Sequence, residues 1–263
     1  MSWWQAVVLG LVQGVTEILP VSSDGHLAVV QRLLGMPAGT RVALTAALHL
    51  GTALALIGYF APRVWSIVSG ALGRESEPQA ENRRLIGRVV LGCIPAVLAG
   101  VLLEGPVEAA SSRMAVVGIL LVINGGLLYG TRFRPRAQRR IGWGTAMMIG
   151  MIQALAILPG ISRSGSTIGL ALLLGIGAEE AFDFSFLMAL PLTAGAAVYE
   201  LLKLDFSALA PANVALGICS ALVSGLGAIV LLHRIVVRGR FYRFGLYCGA
   251  VGIILVVVSP LLR

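Results

Sequence analysis

Two short stretches decide how this chain folds: PVSSDG at 20–25 and PGISRSG at 159–165. Both are polar and rich in turn-forming residues. Apolar runs at 3–19 and 25–35 flank the first, and runs at 143–158 and 165–176 flank the second. These runs are short or carry polar residues, whereas a spanning helix needs about 20 mostly apolar residues. Irregular backbone at membrane depth is tolerated only inside protein or against a wet cavity. Half-length helices around a polar joint therefore predict re-entrant hairpins, and the chain has two.

Outside the hairpins, six stretches are long and apolar enough to span: 42–60, 86–104, 114–130, 183–202, 212–233 and 244–262. Composition agrees. Of 263 residues, 57% are hydrophobic and 12% are charged, against about 25% charged in a soluble domain. This excludes a cytosolic enzyme, a nucleic-acid-binding domain and a disordered chain. The net charge of +8 is spread over short loops between apolar runs. Cys93, Cys219 and Cys248 lie in apolar stretches without paired or metal-ligand spacing and read as small core residues. The first segment has no basic leader and is broken by Gln13 and Glu17, so it is expected to stay in the mature protein.

The two hairpins resemble each other. Gly10, Gln13, Ser22 and Gly25 recur at an offset of 140 as Gly150, Gln153, Ser162 and Gly165. The expected fold is an all-α integral membrane protein: six transmembrane helices plus two re-entrant hairpins arranged as an inverted repeat. Repeat 1 is 1–130, with its hairpin at 3–35 and three spans. Repeat 2 is 141–263, with its hairpin at 143–176 and three spans. An odd number of spans per repeat inverts the second copy. Regions 61–88, 131–142 and 233–243 then share one side and carry most of the 20 Lys+Arg. Only Arg32, Arg41, Arg113, Lys203 and Arg263 fall on the other. The positive-inside rule puts the richer side in the cytoplasm. The hairpins enter from opposite faces, and their polar tips meet where inverted-repeat proteins place ligand sites.

Chemistry concentrates in the tips. Gln13 and Glu17 are four apart and share a helix face. A carboxylate in a membrane segment points to function, the alternative being a structural pair with a buried arginine. Ser22, Ser23 and Asp24 are good helix caps, but capping does not need His26. That histidine is three residues after Ser23, where a turn could bring it to a serine hydroxyl and activate it. In the second joint, Ser162, Ser164, Ser166 and Thr167 supply hydroxyls, and glycines such as Gly160 allow close backbone approach. A helix starting there points free N–H groups at the same place, a composition suited to phosphate. Arg163 is unfavourable at a helix N-terminus unless it grips an anion: a phosphate, or Glu17 or Asp24 in an ion pair. His49, in a predicted span, fits packing and pathway lining equally. Glu179, Glu180 and Asp183 read as a solvated loop or cap.

The motifs QGVTE (13–17), PVSSDGH (20–26) and PGISRSGST (159–167) resemble those of the undecaprenyl-pyrophosphate phosphatase family of the bacitracin-resistance type, across the whole chain. The resemblance implies a hydrolase of the bacterial cytoplasmic (inner) membrane, its site opening to the periplasmic side. It would convert undecaprenyl pyrophosphate to the monophosphate carrier of peptidoglycan and other envelope polymers, and so confer antibiotic resistance. By motif position, Ser23 is the implied nucleophile, with Glu17, His26 and Arg163 essential. His26 serves as base, oriented by Glu17 or relaying through it. Gln13, Ser22, Asp24, Gly160, Ser162, Ser164 and Thr167 would contact substrate. A divalent cation, Mg²⁺ or Ca²⁺, is expected, with Glu17 and Asp24 as its candidate ligands. Gln13 replaces the first glutamate of some members, and Asp24 replaces a common Ser or Thr. The expected partners are the polyprenyl pyrophosphate lipid and the bilayer, with no nucleic acid and a homodimer left open. The rival class is a polyprenyl-phosphate flippase, with or without hydrolysis.

Overall fold

The computed structural model describes residues 1–263 except 73–76, 104, 106, 108–109, 111–112, 204–208 and 263. The described residues are helical apart from turns and one isolated bridge, Arg139 to Ile176. The first hairpin is α1 (Trp3–Ile18) and α2 (Ser23–Leu33), and the second is α6 (Trp143–Leu155) and α7 (Arg163–Leu173). Between and after them run α3 (Ala38–Leu72), α4 (Glu77–Leu102), α5 (Met114–Gly130), α8 (Ala178–Lys203), α9 (Pro211–Val237) and α10 (Arg243–Val258).

Five helices are long and apolar enough to cross a membrane: Thr40–Leu72, Gln79–Leu102, Met114–Phe133, Ala178–Tyr199 and Pro211–Val237. The expected sixth span falls short as one α-helix. The 16-residue α10 stops at Val258, and the chain tightens into a 3-10 turn, Ser259–Leu262, at Pro260. Proline has no N–H to continue the ladder. The first span is longer than its apolar core suggested. It runs through Pro62 and Arg63 to Leu72, so much of the expected 61–88 loop is helix. Arg74, Glu104 and Arg263, which entered the span and topology reading, lie outside the described residues.

Packing pairs the hairpins with distant spans. α1 lies along α9 and α6 along α4, while α3 meets α8 and α5 meets α10. Two of the repeated glycines explain the closeness. A Cβ on Gly10 would collide with the Gly217 carbonyl, and one on Gly150 with the backbone of Gly92. Small residues at such contacts let helix backbones approach where no hydrophobic force separates protein from lipid. At one end of the bundle, Asn213 near the start of α9 donates to the Met1 carbonyl at 2.8 Å. At the other, the Arg88 guanidinium of α4 stands 5.9 Å from the ring of Trp143, the first residue of α6. Thus α1 starts beside the start of α9, and α6 beside the first turns of α4. The end of α9 and the first turns of α4 line one cavity with Arg63 near the end of α3.

Candidate active site

The first joint turns sharply at Ser22, whose φ of +67° is the one positive value at a non-glycine among the described residues. Such a conformation costs about 1–3 kcal/mol and persists only where neighbours hold it. Ser22 is held twice. Its Oγ accepts from the Gly160 amide of the other joint at 3.1 Å, and its carbonyl meets His26 Nδ1 at 2.8 Å. Although Ser22 precedes α2, its side chain makes no capping bond; it ties joint to joint instead.

Glu17, the penultimate residue of α1, gathers the polar groups. Its Oε1 accepts from Arg163 Nη2 at 2.9 Å. Its Oε2 accepts from Ser23 Oγ at 2.6 Å and from Gln13 Nε2 at 3.4 Å, and His49 Nε2 stands 3.7 Å away. The Glu17 and Arg163 side chains are 13% and 18% exposed, so this is a largely desolvated pair. Arg163 also donates from Nη1 to Thr193 Oγ1 on α8 at 3.2 Å. The structural alternative of an Arg163–Glu17 pair is therefore present.

Around these groups lies a polar cavity of about 180 Å³, lined by Thr16, Glu17, Ser22, Ser23, Asp24, His49, Ala156, Ile161, Ser162 and Arg163. It unites much of what the sequence singled out, and places His49 on the pathway side of its two readings. Some expected members lie elsewhere. His26 does not meet Ser23: its Nδ1 donates to the Ser22 carbonyl, and its Nε2 lies 2.7 Å from the Tyr247 hydroxyl of α10. The reason is local. In the first turn of α2, the imidazole reaches back four residues to the carbonyl of Ser22, the residue before the helix. The short contact to Ser23 is made by Glu17 instead. Ser164, at 2% exposure, and Thr167, at 0%, are buried away from the cavity. Thr167 donates to the Arg163 carbonyl at 2.8 Å and meets Ser185; Ser164 meets Ser162 Oγ at 3.2 Å. Helical Ser and Thr satisfy themselves on preceding carbonyls in this way. Ser162 lines the cavity, yet its Oγ caps α7 by accepting from Gly165 N at 3.1 Å. Gly160, at φ +104°, fits where a Cβ would strike the Val117 carbonyl.

Three contributors escaped the sequence reading: Asn124, Thr193 and Tyr247. Asn124, buried in α5, bridges both joints. Its Oδ1 accepts from Ser162 N at 3.3 Å, and its Nδ2 donates to the Pro20 carbonyl at 3.5 Å. A lone amide in an apolar span was its available signal. Asn124→Ala leaves the Ser162 N–H and the Pro20 carbonyl without this partner. It should cost about 1–2 kcal/mol, read as a lower thermal midpoint in detergent. An unchanged midpoint would remove Asn124 as the clamp between the joints.

In chemical terms, a serine hydroxyl donates to a carboxylate, and an arginine pins that carboxylate from the other side. Groups of the kinds that can act as nucleophile, base and anion binder thus share one small cavity. Comparison with known proteins gives a family profile described as "Bacitracin resistance protein BacA" matching residues 6–254. Similar proteins include an undecaprenyl-diphosphatase of Desulfosudis oleivorans, 41% identical over 265 residues, covering 94% of this chain and 95% of that one. Those of Syntrophotalea carbinolica and Korarchaeum cryptofilum are 38% and 37% identical, covering 96% and 95% of this chain and 97% and 96% of theirs.

Proposed function

We propose that this chain, which belongs to the bacitracin resistance protein BacA family, is a membrane phosphatase acting on undecaprenyl pyrophosphate. It would release the terminal phosphate and leave the monophosphate carrier for peptidoglycan and other envelope polymers, so countering bacitracin. The observation that carries the reading is the line from Ser23 Oγ to Glu17 at 2.6 Å and from Glu17 to Arg163 at 2.9 Å. A purified sample in detergent, where no membrane gradient exists, should release inorganic phosphate from undecaprenyl pyrophosphate. Absence of release from a folded sample would overturn the phosphatase and favour the flippase, which leaves the Ser23–Glu17 pair without a task.

The mechanism follows from the contacts. The pyrophosphate enters the polar cavity and takes hydrogen bonds from Arg163, whose fork suits phosphate oxygens. Ser23 Oγ attacks the terminal phosphorus while its proton passes to Glu17 Oε2. The P–O bond to the bridging oxygen breaks, and the lipid leaves as the monophosphate. Water then attacks the phosphoserine, giving inorganic phosphate and returning the proton to Ser23. Fixed charges and aligned donors supply most of the acceleration in such transfers. His26 and Tyr247 hold the turn that presents Ser23, a positioning role in place of the expected base.

The expected Mg²⁺ or Ca²⁺ must fit the donors present. No group of three His, Cys, Asp or Glu converges among the described residues. The cavity offers Glu17 and Asp24, and beside Glu17 the Gln13 Oε1 is buried without a partner. Magnesium commonly binds one or two carboxylates and completes its shell with water and substrate phosphates. These residues fit a cation that arrives with the pyrophosphate, where it would neutralise charge. Gln13→Glu sets two carboxylates one turn apart and should lower phosphate release roughly tenfold at low cation. Added Mg²⁺ or Ca²⁺ should restore it. A cation-response curve identical to that of the parent would exclude Gln13 from this role.

The same reading includes an inverted repeat in the bacterial inner membrane, with its site reached from the outer side. Six crossings require α10 and its terminal turn to act together as the last. Support comes from the reciprocal packing of α1 on α9 and α6 on α4. In a Cys219→Ser background, Gln138→Cys and Ala212→Cys should be labelled from opposite faces of sealed vesicles. Labelling of both from one face would contradict the inversion.

A further inference from the structure

A large cavity lies apart from the serine site, at the arginine-rich end of the bundle. It is a bowl of about 920 Å³ whose wall includes Arg63, Arg88, Arg134, Arg136, Arg139 and Arg140. Its carboxylates are Glu81, Glu179, Glu180 and Asp183, and three of them are engaged. Glu81 pairs with Arg88 at 2.9 Å, Asp183 with Arg63 at 3.6 Å, and Glu180 accepts from the Ile141 amide at 2.8 Å. No ion pair joins Arg134, Arg136, Arg139 or Arg140 to a carboxylate among the described residues. Nor is their segment loosely attached. Arg139 N donates to the Gly175 carbonyl at 2.9 Å, and Ile141 is buried at 2% exposure. The bowl therefore has fixed walls and uncompensated positive charge.

Next to the bowl, and sharing Leu85 and Leu187 with it, runs an apolar groove of about 530 Å³ between α3, α4 and α8. Exposed Trp65 lines the groove, and exposed Trp143 stands by Arg88. Tryptophans favour the level of the lipid headgroups. Arginines, exposed aromatic rings and an apolar channel thus adjoin one another, which suits an anionic amphiphile. We propose that bowl and groove form one binding site for an anionic phospholipid, with the phosphate on the Arg134–Arg140 segment and an acyl chain in the groove. A second copy of this chain is disfavoured as occupant, because a face-to-face pair would oppose the same arginines.

Such a lipid would touch the catalytic machinery through one helical turn. Leu190, Pro191 and Ala194 of α8 line the groove, and Thr193 between them holds Arg163 Nη1 at 3.2 Å. Pro191 lacks the N–H that would bond the Leu187 carbonyl, so this turn has one fewer backbone restraint. An acyl chain packed there would steady the Thr193–Arg163 contact. That consequence rests on the phosphatase reading; lipid binding does not.

The test uses the full chain in neutral detergent, with Trp3 and Trp4 changed to Phe so that Trp65 and Trp143 report. Phosphatidylglycerol with brominated acyl chains should quench this fluorescence saturably, and unbrominated phosphatidylglycerol should compete. Phosphatidylcholine and glycerol 3-phosphate should compete poorly. An arginine near an anionic lipid surface contributes about 1 kcal/mol, or about fivefold in affinity. Arg136→Gln with Arg140→Gln should therefore shift the quenching midpoint by up to about 25-fold, with the thermal midpoint unchanged. Equal competition by phosphatidylcholine would reduce the site to ordinary lipid contact. Full displacement by glycerol 3-phosphate would make it a site for free phosphate. Quenching that varies with protein concentration would make it a self-interface. Each of these, like an unshifted midpoint in the double variant, overturns the proposal. Absence of phosphate release with lipid binding intact would instead sink the enzyme reading alone.

Discussion

Replacing Ser23 with alanine should lower phosphate release by more than about 10³-fold while leaving substrate binding close to that of the parent. The asymmetry follows from what the hydroxyl touches. Ser23 donates to Glu17 at 2.6 Å, and the Glu17–Arg163 pair does not depend on that bond for its 2.9 Å contact. On the proposed mechanism alanine removes the attacking hydroxyl and leaves the anion-binding side in place. Ser22→Ala tests the neighbouring hydroxyl, which accepts from the Gly160 amide. Its loss should lower stability by about 1–2 kcal/mol through the unpaired amide, with a smaller loss of turnover. Phosphate release, substrate-induced thermal shift and unfolding midpoint separate the two serines. Loss at Ser22 with retention at Ser23 would move the nucleophile by one residue.

The two pairs of short helices were legible because their signal is one of length. Apolar runs too short to span, broken at PVSSDG and PGISRSG, have few physical solutions in a bilayer. The helices begin and end within a few residues of the expected bounds. Helix ends in the spans were less legible. The apolar run of the first span ends at residue 60, yet α3 continues to Leu72, because hydropathy marks the apolar stretch of a helix and not where its hydrogen bonds end. At the other extreme, α10 ends at Val258 although apolar residues continue to Leu262.

Within the site, chemical type was readable and direction was not. Glu17 and Arg163 stood out because charge is costly in apolar segments, Ser23 because it lies in the polar joint beside them, and the three meet. Ser164 and Thr167 looked equally suited to phosphate, but the phase of α7 turns Ser164 to the Ser162 hydroxyl and Thr167 to the Arg163 carbonyl and Ser185. Spacing alone put His26 near Ser23. The backbone at Ser22, with φ at +67°, sends the imidazole to the Ser22 carbonyl and Tyr247, a residue 221 positions away. Long-range partners such as Tyr247, Thr193 and Asn124 become visible only when the spans are packed.

Arg163→Lys should lower kcat/KM by about 10²-fold or more while the protein stays folded. Arg163 begins α7, where the helix dipole disfavours a cation. It is tolerated there because one prong donates to Glu17 at 2.9 Å and the other to Thr193 at 3.2 Å. Lysine can replace the first contact as a point charge, so the pairing of Glu17, and with it much of the stability, should survive. What it cannot do is keep one donor on the protein while presenting another, in plane, to a phosphate oxygen. On the proposed mechanism the guanidinium shifts part of its hydrogen bonding from Glu17 to the pyrophosphate, which also frees Glu17 to accept the Ser23 proton. A compact ammonium held by Glu17 would bind that carboxylate or the phosphate, not share itself between them. The expected signature is a large fall in kcat with a thermal midpoint near that of the parent. Near-parent turnover in the lysine variant would show that charge alone suffices, and that the two-pronged contact with Glu17 and Thr193 is a feature of the empty site only.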